Sequence, residues 1–253
     1  MSSVWIRSID SPAMRRLEGT EGVLTRLTWS ADSRNLAFFV NGVWKRITVD
    51  GGPAITFASN ITNNLGASWG AGDVFLTAPA NRTSLARIPI TGGSPQPVTH
   101  LDETKENSHR YPQLLPDGRH FLFTARSDSV ERLGIKLGAL DSSEVRTLVN
   151  VASQGVYTDP GFLLYVTPDR VLMAQKVDPV SWSLTGAPQP IASQVQYSGP
   201  SFIGSFDASL DGRVVIYVSA PVQQSSLEWF DRNGNALGRL GSEQSRSEEH
   251  TAE

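Results

Sequence analysis

Short apolar runs that follow turn-forming residues are the main pattern along this chain. Five such runs stand out: "NLAFFV", "DVFLTA", "RHFLFTA", "GFLLYV" and "RVVIYVS". A second segment, in which apolar and polar residues alternate, then follows, as in "GVWKRITV". This alternation predicts strands with one buried face. We expect Trp44, Ile47 and Trp229 to be among the buried positions.

The turn before each apolar run repeats a common corner, which is clearest at residues 115–119. There Pro116 pre-sets φ, Asp117 accepts local backbone hydrogen bonds, and Gly118 supplies a left-handed residue, so a tight β-hairpin is predicted. Equivalent corners recur at intervals of about 40 to 50 residues, a period that is typical of four-stranded propeller blades. The corner positions are Ser33, Asp73, Gly118, Gly161 and Gly212.

These repeats predict an all-β chain, a β-propeller of four-stranded antiparallel blades. The 22 glycines and 15 prolines are spread along the chain and leave little room for helices. We expect five complete blades, at about 25–59, 65–101, 108–151, 154–193 and 203–241. Residues 4–19 match only the second hairpin of a blade. The predicted ring is therefore an incomplete six-bladed one, in a fragment that begins mid-blade. Residues 242–253 are expected to be a disordered or artefactual tail.

Composition excludes several classes of function. The net charge is −3 with no local run of basic residues, so neither nucleic acid nor an anionic membrane surface is an expected partner. The absence of cysteine excludes disulfides, thiolate catalysis and cysteine-ligated zinc. No apolar run has the length of a signal peptide or a bilayer span. No cofactor is expected.

The repeated corner also carries a family resemblance. An aromatic residue, a Ser/Pro/Ala-Asp-Gly/Ser-Arg turn, an apolar strand and a later Gly-Gly turn together resemble the TolB-like, WD-repeat-like propeller family. The segments "VWIRSIDSPAMRRLEGTEG", "LAFFVNGVWKRITVDGGP" and "SHRYPQLLPDGRHFLF" resemble, more narrowly, the propeller that follows the kinase domain in bacterial eukaryotic-like serine/threonine protein kinases. The resemblance covers residues 4 to about 241. It implies a sensor or interaction domain on the extracytoplasmic side of a transmembrane helix. Kinase activity is not assigned, since the chain has no kinase motifs.

Three enzyme-like features were weighed. "GASWG" matches the G-x-S-x-G nucleophile motif at Ser68, but a turn and a strand follow it where a hydrolase needs a helix. His109 and His120 are expected at opposite ends of a hairpin, too far apart to share a metal ion. His100 beside an acidic loop leaves a weaker metal hypothesis. The corner aspartates, Asp32, Asp117 and Asp211, lie in different blades, so they are not expected to form the paired carboxylates that glycoside hydrolysis needs. No catalytic or metal-binding residue is therefore predicted.

The axial mouth of the propeller, where the innermost strands begin, is the expected binding site. A protein, a peptide or a small molecule is expected to bind there. The polar residues at or just before successive first strands are Arg26, Asn64, His109, Arg110, Tyr111 and Gln154. The richest cluster is His109-Arg110-Tyr111, which could contact an anionic group or pack between blades. Two functions stay open: a recognition module that reports to a kinase domain, or an accessory domain of a hydrolase or peptidase. A stand-alone TolB-like interaction protein is a third arrangement.

Overall fold

A computed structural model gives the fold of the chain. It describes residues 2–8, 10–23, 26–72, 74–129 and 131–220, together with the backbone of two further strands, Gln224–Phe230 and Ala236–Ser245. Every regular element in the described residues is a β-strand, and every strand pairing is antiparallel. The all-β prediction is confirmed.

Four four-stranded sheets form the body of the molecule, and each is a meander of consecutive strands. Blade 1 contains β3 (Thr28–Trp29), β4 (Asn35–Val40), β5 (Val43–Thr48) and β6 (Ile55–Ala58). Blade 2 contains β7 (Ala67–Trp69), β8 (Val74–Thr77), β9 (Ala86–Pro89) and β10 (Gln96–Pro97). Blade 3 contains β11 (Ser108–Leu114), β12 (His120–Arg126), β13 (Gly134–Ala139) and β14 (Ser142–Val149). Blade 4 contains β15 (Val156–Thr158), β16 (Phe162–Val166), β17 (Leu172–Val177) and β18 (Leu184–Ala192). Before blade 1 lies the predicted lone hairpin of β1 (Trp5–Arg7) and β2 (Met14–Arg16).

The predicted fifth blade has a different arrangement in the described residues. It consists of separate hairpins: β19 (Tyr197–Ser198) with β20 (Ile203–Gly204), β21 (Phe206–Ala208) with β22 (Val215–Tyr217), and β23 (Gln224–Phe230) with β24 (Ala236–Ser245). Residues 203 and 204 belong to β20, and the Gln154 side chain pairs with both the N–H and the C=O of Gly204. The strand that leads into the corner begins at Phe206. β24 also runs four residues past the predicted end at 241.

The repeated corner has the predicted backbone in three of its copies, whereas Gly161, the corner of blade 4, has a φ of 115°. Ser33, Gly118 and Gly212 have φ values of 59°, 67° and 68°, the left-handed conformation that this turn requires. In blade 3, Oδ1 of Asp117 accepts hydrogen bonds from the N–H groups of Arg119 and His120 at 3.0 and 2.9 Å. Asp73, the proposed corner of blade 2, lies outside the described residues.

The hydrophobic core consists of layers between consecutive blades. Trp44 of blade 1 packs edge-on against Phe75 of blade 2, with ring centroids 4.9 Å apart. Further layers join blades 2 and 3, blades 3 and 4, and blade 4 with β21. Trp44 and Ile47 are buried as expected, whereas the side chain of Trp229 lies outside the described residues. In a propeller, blades are arranged around a central channel, and their first strands lie nearest to it.

Candidate functional site at the axial mouth

The first strands of several neighbouring blades contact one another. β3 lies against β7, β7 against β11, and β15 against β21. Polar side chains bridge these neighbours: Ser68 Oγ accepts a hydrogen bond from the N–H of Leu114 at 2.9 Å, and Thr158 Oγ1 donates to the carbonyl of Ser209 at 2.7 Å. Ser68 is thus a link between blades 2 and 3. It lies on β7, which leads into a turn and β8, so it has no nucleophile elbow.

Tyr111 leaves the β11 ladder and enters the mouth. The register of β11 against β12 shifts between Arg110 and Gln113, and Tyr111 has a φ of 51°, which is uncommon for a large side chain. Its N–H donates to the carbonyl of Leu65 at 2.8 Å, and its hydroxyl donates to the carbonyl of Ser201 at 2.6 Å. The bulge therefore lets Tyr111 contact both Leu65, just before β7, and Ser201, in the turn between β19 and β20.

Arg26 lies over the ring of Tyr111. Its guanidinium carbon is 5.6 Å from the centroid of the Tyr111 ring, a distance that permits a cation–π contact. Asp207 on β21 places a negative charge near Arg26. The predicted residues Arg26 and Tyr111 thus come together although they are far apart in sequence.

Two further arginines face the same space. Arg110 is buried, with an exposed fraction of 9%, and its Nε donates to Ser108 Oγ at 2.7 Å. Arg126 pairs with Ser108 across the β11–β12 ladder, which puts its side chain on the same face as Arg110. Its guanidinium carbon is 5.6 Å from the centroid of the Phe202 ring. Burial lowers the pKa of Arg110; the adjacent Tyr111 raises it in part, and the charge of Arg126 lowers it.

We name this group the mouth cluster. Its members, drawn from three blades and their connections, are Arg26, Arg110, Tyr111, Arg126, Phe202 and Asp207. Three arginines and one aspartate give it a positive charge, and two aromatic rings flank that charge. The cluster can therefore bind an anionic group that carries an apolar neighbour.

His109 lies on the opposite face of β11 from Arg110, as the alternation of a strand requires. Its exposed fraction is 2%, and both of its ring nitrogens have partners. Nε2 is 3.0 Å from Glu106 Oε2, and Nδ1 is 2.7 Å from Thr99 Oγ1. Lys136 Nζ donates to the other oxygen of Glu106 at 2.8 Å. His109 belongs to a buried polar group beneath the mouth and is left out of the mouth cluster.

In this buried group the negative charge of Glu106 compensates the positive charge of Lys136. Burial by itself would raise the pKa of Glu106, but the hydrogen bonds from His109 and Lys136 outweigh it and lower that pKa to about 2. The carboxylate therefore stays charged against the Lys136 ammonium.

The other two predicted mouth residues, Gln154 and Asn64, form hydrogen bonds with backbone groups. Gln154 is buried, donating through Nε2 to the carbonyl of Gly204 at 2.7 Å and accepting its N–H at 2.8 Å. Asn64 Oδ1 accepts the N–H of Gly66 at 3.0 Å. These contacts fix the strand starts that surround the mouth.

Sequence reasoning missed Arg126, Phe202 and Asp207. The hairpin corner at residues 115–119 by itself would pair Arg126 with His109, and only the register shift between Arg110 and Gln113 pairs it with Ser108 instead. Phe202 lies in the added β19–β20 hairpin, which explains why the last interval between corners is longer than the others. No repeat position predicts where that insertion reaches.

A concavity lies on the outer side of blade 3. This cleft has a volume of about 570 Å³ and includes Arg119, His120 and Arg146 in its lining. Its arginines are already engaged: Arg119 Nε lies 2.9 Å from Asp141 Oδ1, and Arg146 donates to the carbonyls of Ser181 and Trp182. The cleft offers less uncompensated charge than the mouth cluster.

The described residues form neither a metal-binding cluster nor a helix that could span a membrane. In the described part of the chain, no three His, Asp or Glu side chains come together in a way that could hold a metal ion. Asp102, in the acidic loop after His100, accepts hydrogen bonds from Thr104 and lies 3.0 Å from Lys105 Nζ. Over the same residues, no helix is long and apolar enough to cross a bilayer.

Comparison with known proteins supports the propeller assignment. A TolB-type protein of Agrobacterium tumefaciens superimposes with a TM-score of 0.61 at 18% identity, over 92% of this chain and 87% of that one. The fold is a β-propeller. The β-propeller domain of Cps50 (Swd1) from Myceliophteria thermophila matches with a TM-score of 0.54 at 17% identity, over 91% of this chain and 77% of its own.

An enzyme is also among the similar structures. A gluconolactonase of Xanthomonas campestris matches this propeller with a TM-score of 0.58 at 16% identity, over 85% of this chain and 74% of that one. No family model matches the sequence, and no curated protein matches it significantly. At these identities the comparisons establish the fold alone.

Proposed function

We propose that this TolB-like propeller is a non-catalytic recognition module that binds a protein, a peptide or a small molecule at its axial mouth. The observation that carries the proposal is that Arg26, which precedes blade 1, lies over the ring of Tyr111 in blade 3, next to Arg110. Cationic donors beside aromatic rings are typical of recognition surfaces.

We also propose that the module is the sensor part of a bacterial serine/threonine protein kinase. The support is the resemblance of three sequence segments to the propellers of such kinases. The genomic reading frame tests it: the segment upstream of this chain should encode a transmembrane helix and a kinase domain. An adjoining α/β-hydrolase domain would instead favour an accessory domain of a hydrolase or peptidase.

Peptide selection tests mouth recognition directly. A random dodecapeptide phage library is selected against the chain, and the enriched peptides are measured against Arg26→Gln and, as a matched control, Arg87→Gln. Arg87 is an exposed arginine on β9, away from the mouth. We expect weaker binding only in Arg26→Gln. Equal binding to both variants, or no enrichment, would contradict the proposal.

A lactonase activity is the second candidate, because a gluconolactonase is among the similar structures. Hydrolysis of glucono-δ-lactone and of p-nitrophenyl acetate is measured with the chain and with Ser68→Ala, in buffer with and without added Ca²⁺ or Zn²⁺. We expect rates equal to those of buffer and metal alone. A lactone hydrolysis that saturates with substrate would overturn the non-catalytic proposal.

A further inference from the structure

Arg110 is a buried cation without a buried anion. Among the described residues, no carboxylate forms an ion pair with Arg110 or Arg126. Lys136, which is similarly buried, has its partner in Glu106 at 2.8 Å. A buried charge normally has a counter-charge, because burial without one is strongly unfavourable. Arg110 departs from this pattern.

A second positive charge makes the departure larger. Arg126 lies on the same face of the β11–β12 hairpin, and its charge acts on Arg110. Two guanidinium groups that share a space repel each other unless an anion lies between them. Asp207, the carboxylate of the mouth cluster, acts on Arg26, and no carboxylate of the described residues is among the groups that act on Arg110.

The surroundings of the pair indicate the shape of the missing anion. The ring of Phe202 lies against Arg126, and Tyr111 follows Arg110 directly. A guanidinium binds a planar carboxylate through two parallel N–H donors. Adjacent aromatic faces favour a ligand whose carboxylate is attached to an apolar or aromatic group.

We propose that Arg110 and Arg126 form a carboxylate-binding site, whose ligand is an organic acid or peptide terminus with an apolar or aromatic neighbour. This inference rests on the proposed recognition function and names the chemistry that the mouth recognises. The carboxylate lies between the two guanidinium groups, and its apolar part contacts Phe202.

Four small probes test the site. Benzoate represents a free organic acid and N-acetylphenylalanine a peptide C-terminus; benzamide and N-acetylphenylalaninamide are their neutral counterparts. Binding is followed by NMR through the arginine Nε–Hε signals, with inorganic phosphate as a further anion. We expect saturable shifts of the Arg110 and Arg126 signals with one or both carboxylates and no such shifts with the amides. The tighter of the two acids indicates the source of the ligand.

Substitutions distinguish the site from general attraction of anions. Arg126→Gln should weaken carboxylate binding about ten-fold or more, as the loss of a hydrogen bond to a charged group does. Arg126→Lys should restore part of the affinity, and Arg87→Gln should leave it unchanged. Arg110→Gln is interpreted only if its circular dichroism spectrum matches that of the unsubstituted chain.

Three outcomes would overturn the inference: amides that bind as well as acids, phosphate that binds more tightly than either acid, or carboxylate binding that Arg126→Gln leaves intact. Failure of the inference can be told apart from failure of the recognition function. Selected peptides that depend on Arg26 but not on Arg126 would refute the carboxylate site and leave mouth recognition standing. An absence of any mouth-dependent peptide would refute the recognition function itself.

Discussion

Adjacent residues on β11 have different roles because a strand turns successive side chains to opposite faces. His109 enters a buried group with Thr99, Glu106 and Lys136, while Arg110 enters the mouth. The sequence places both residues at the start of an inner strand. It does not reveal that Glu106 and Lys136, which lie on either side of β11 in the sequence, meet at His109.

Replacing Glu106 by glutamine should destabilise the fold. The substitution leaves the Lys136 ammonium buried without a counter-charge, which costs about 3–5 kcal/mol when one partner of a buried pair is removed. Urea denaturation followed by tryptophan fluorescence measures the free energy of unfolding. Glu144→Gln, at an exposed position on β14, is the control and should change that free energy by less than about 0.5 kcal/mol. Equal stability of the two variants would refute the structural role of Glu106.

The same carboxylate should make stability depend on acid pH. The pKa of Glu106 is lowered to about 2 in the folded chain, below its ordinary value of 4.5. Its contribution is therefore complete above about pH 4.5 and is lost as the pH falls towards 2. Denaturation curves between pH 7 and pH 2.5 should converge for the native chain and Glu106→Gln. A difference that stays constant over this range would contradict the assignment.

At the scale of elements, the corners were the most predictable feature and the bulge in β11 the least. A corner follows from local chemistry, since Asp117 and Gly118 satisfy and turn the backbone within a few residues. The bulge at Tyr111 depends on partners that are distant in sequence, Leu65 and Ser201. No local signal predicts such a bulge.

Two corner glycines offer a matched comparison. Gly118 and Gly212 have φ values of 67° and 68°, but a Cβ at Gly118 meets nothing within 4 Å, whereas at Gly212 it would lie 1.9 Å from the carbonyl oxygen of Asp159. Gly118→Ala should cost about 1–2 kcal/mol, the penalty for a left-handed L-residue. Gly212→Ala should cost about 1–3 kcal/mol more, because the backbones of blade 4 and the next corner must separate. Thermal denaturation of both variants checks the order; equal losses would contradict the close approach.

At the scale of the whole molecule, the sequence repeat predicted the propeller, and packing between consecutive blades stabilises it. Each described core layer joins two consecutive units, so every blade depends on its neighbours. The arrangement at residues 197–217 was not predictable, because Gln154 binds Gly204 across fifty positions of sequence. The predicted bounds of the five blades stay predictions, as does the proposal that the chain comes from a kinase.

Hydrogen exchange should distinguish the four-stranded blades from the separate hairpins that follow them. Ile216 and Tyr217 on β22 have exposed fractions of 62% and 46%, and β22 pairs only with β21 in the described sheets. Central strands such as β12 and β16 are paired on both sides. Amides of β22 should therefore exchange much faster than those of β12 and β16. Equal protection would show that the second hairpin, β23–β24, completes this blade in solution.

The most direct test of the recognition account is a footprint of a bound peptide. The tightest phage-selected peptide is added in excess, and hydrogen exchange of the chain is compared with and without it. The account predicts new protection at Ser108–Leu114 and at residues 199–204, with little change in the outer strands β14 and β18. Protection confined to the outer strands, with the mouth exchanging as before, would contradict it.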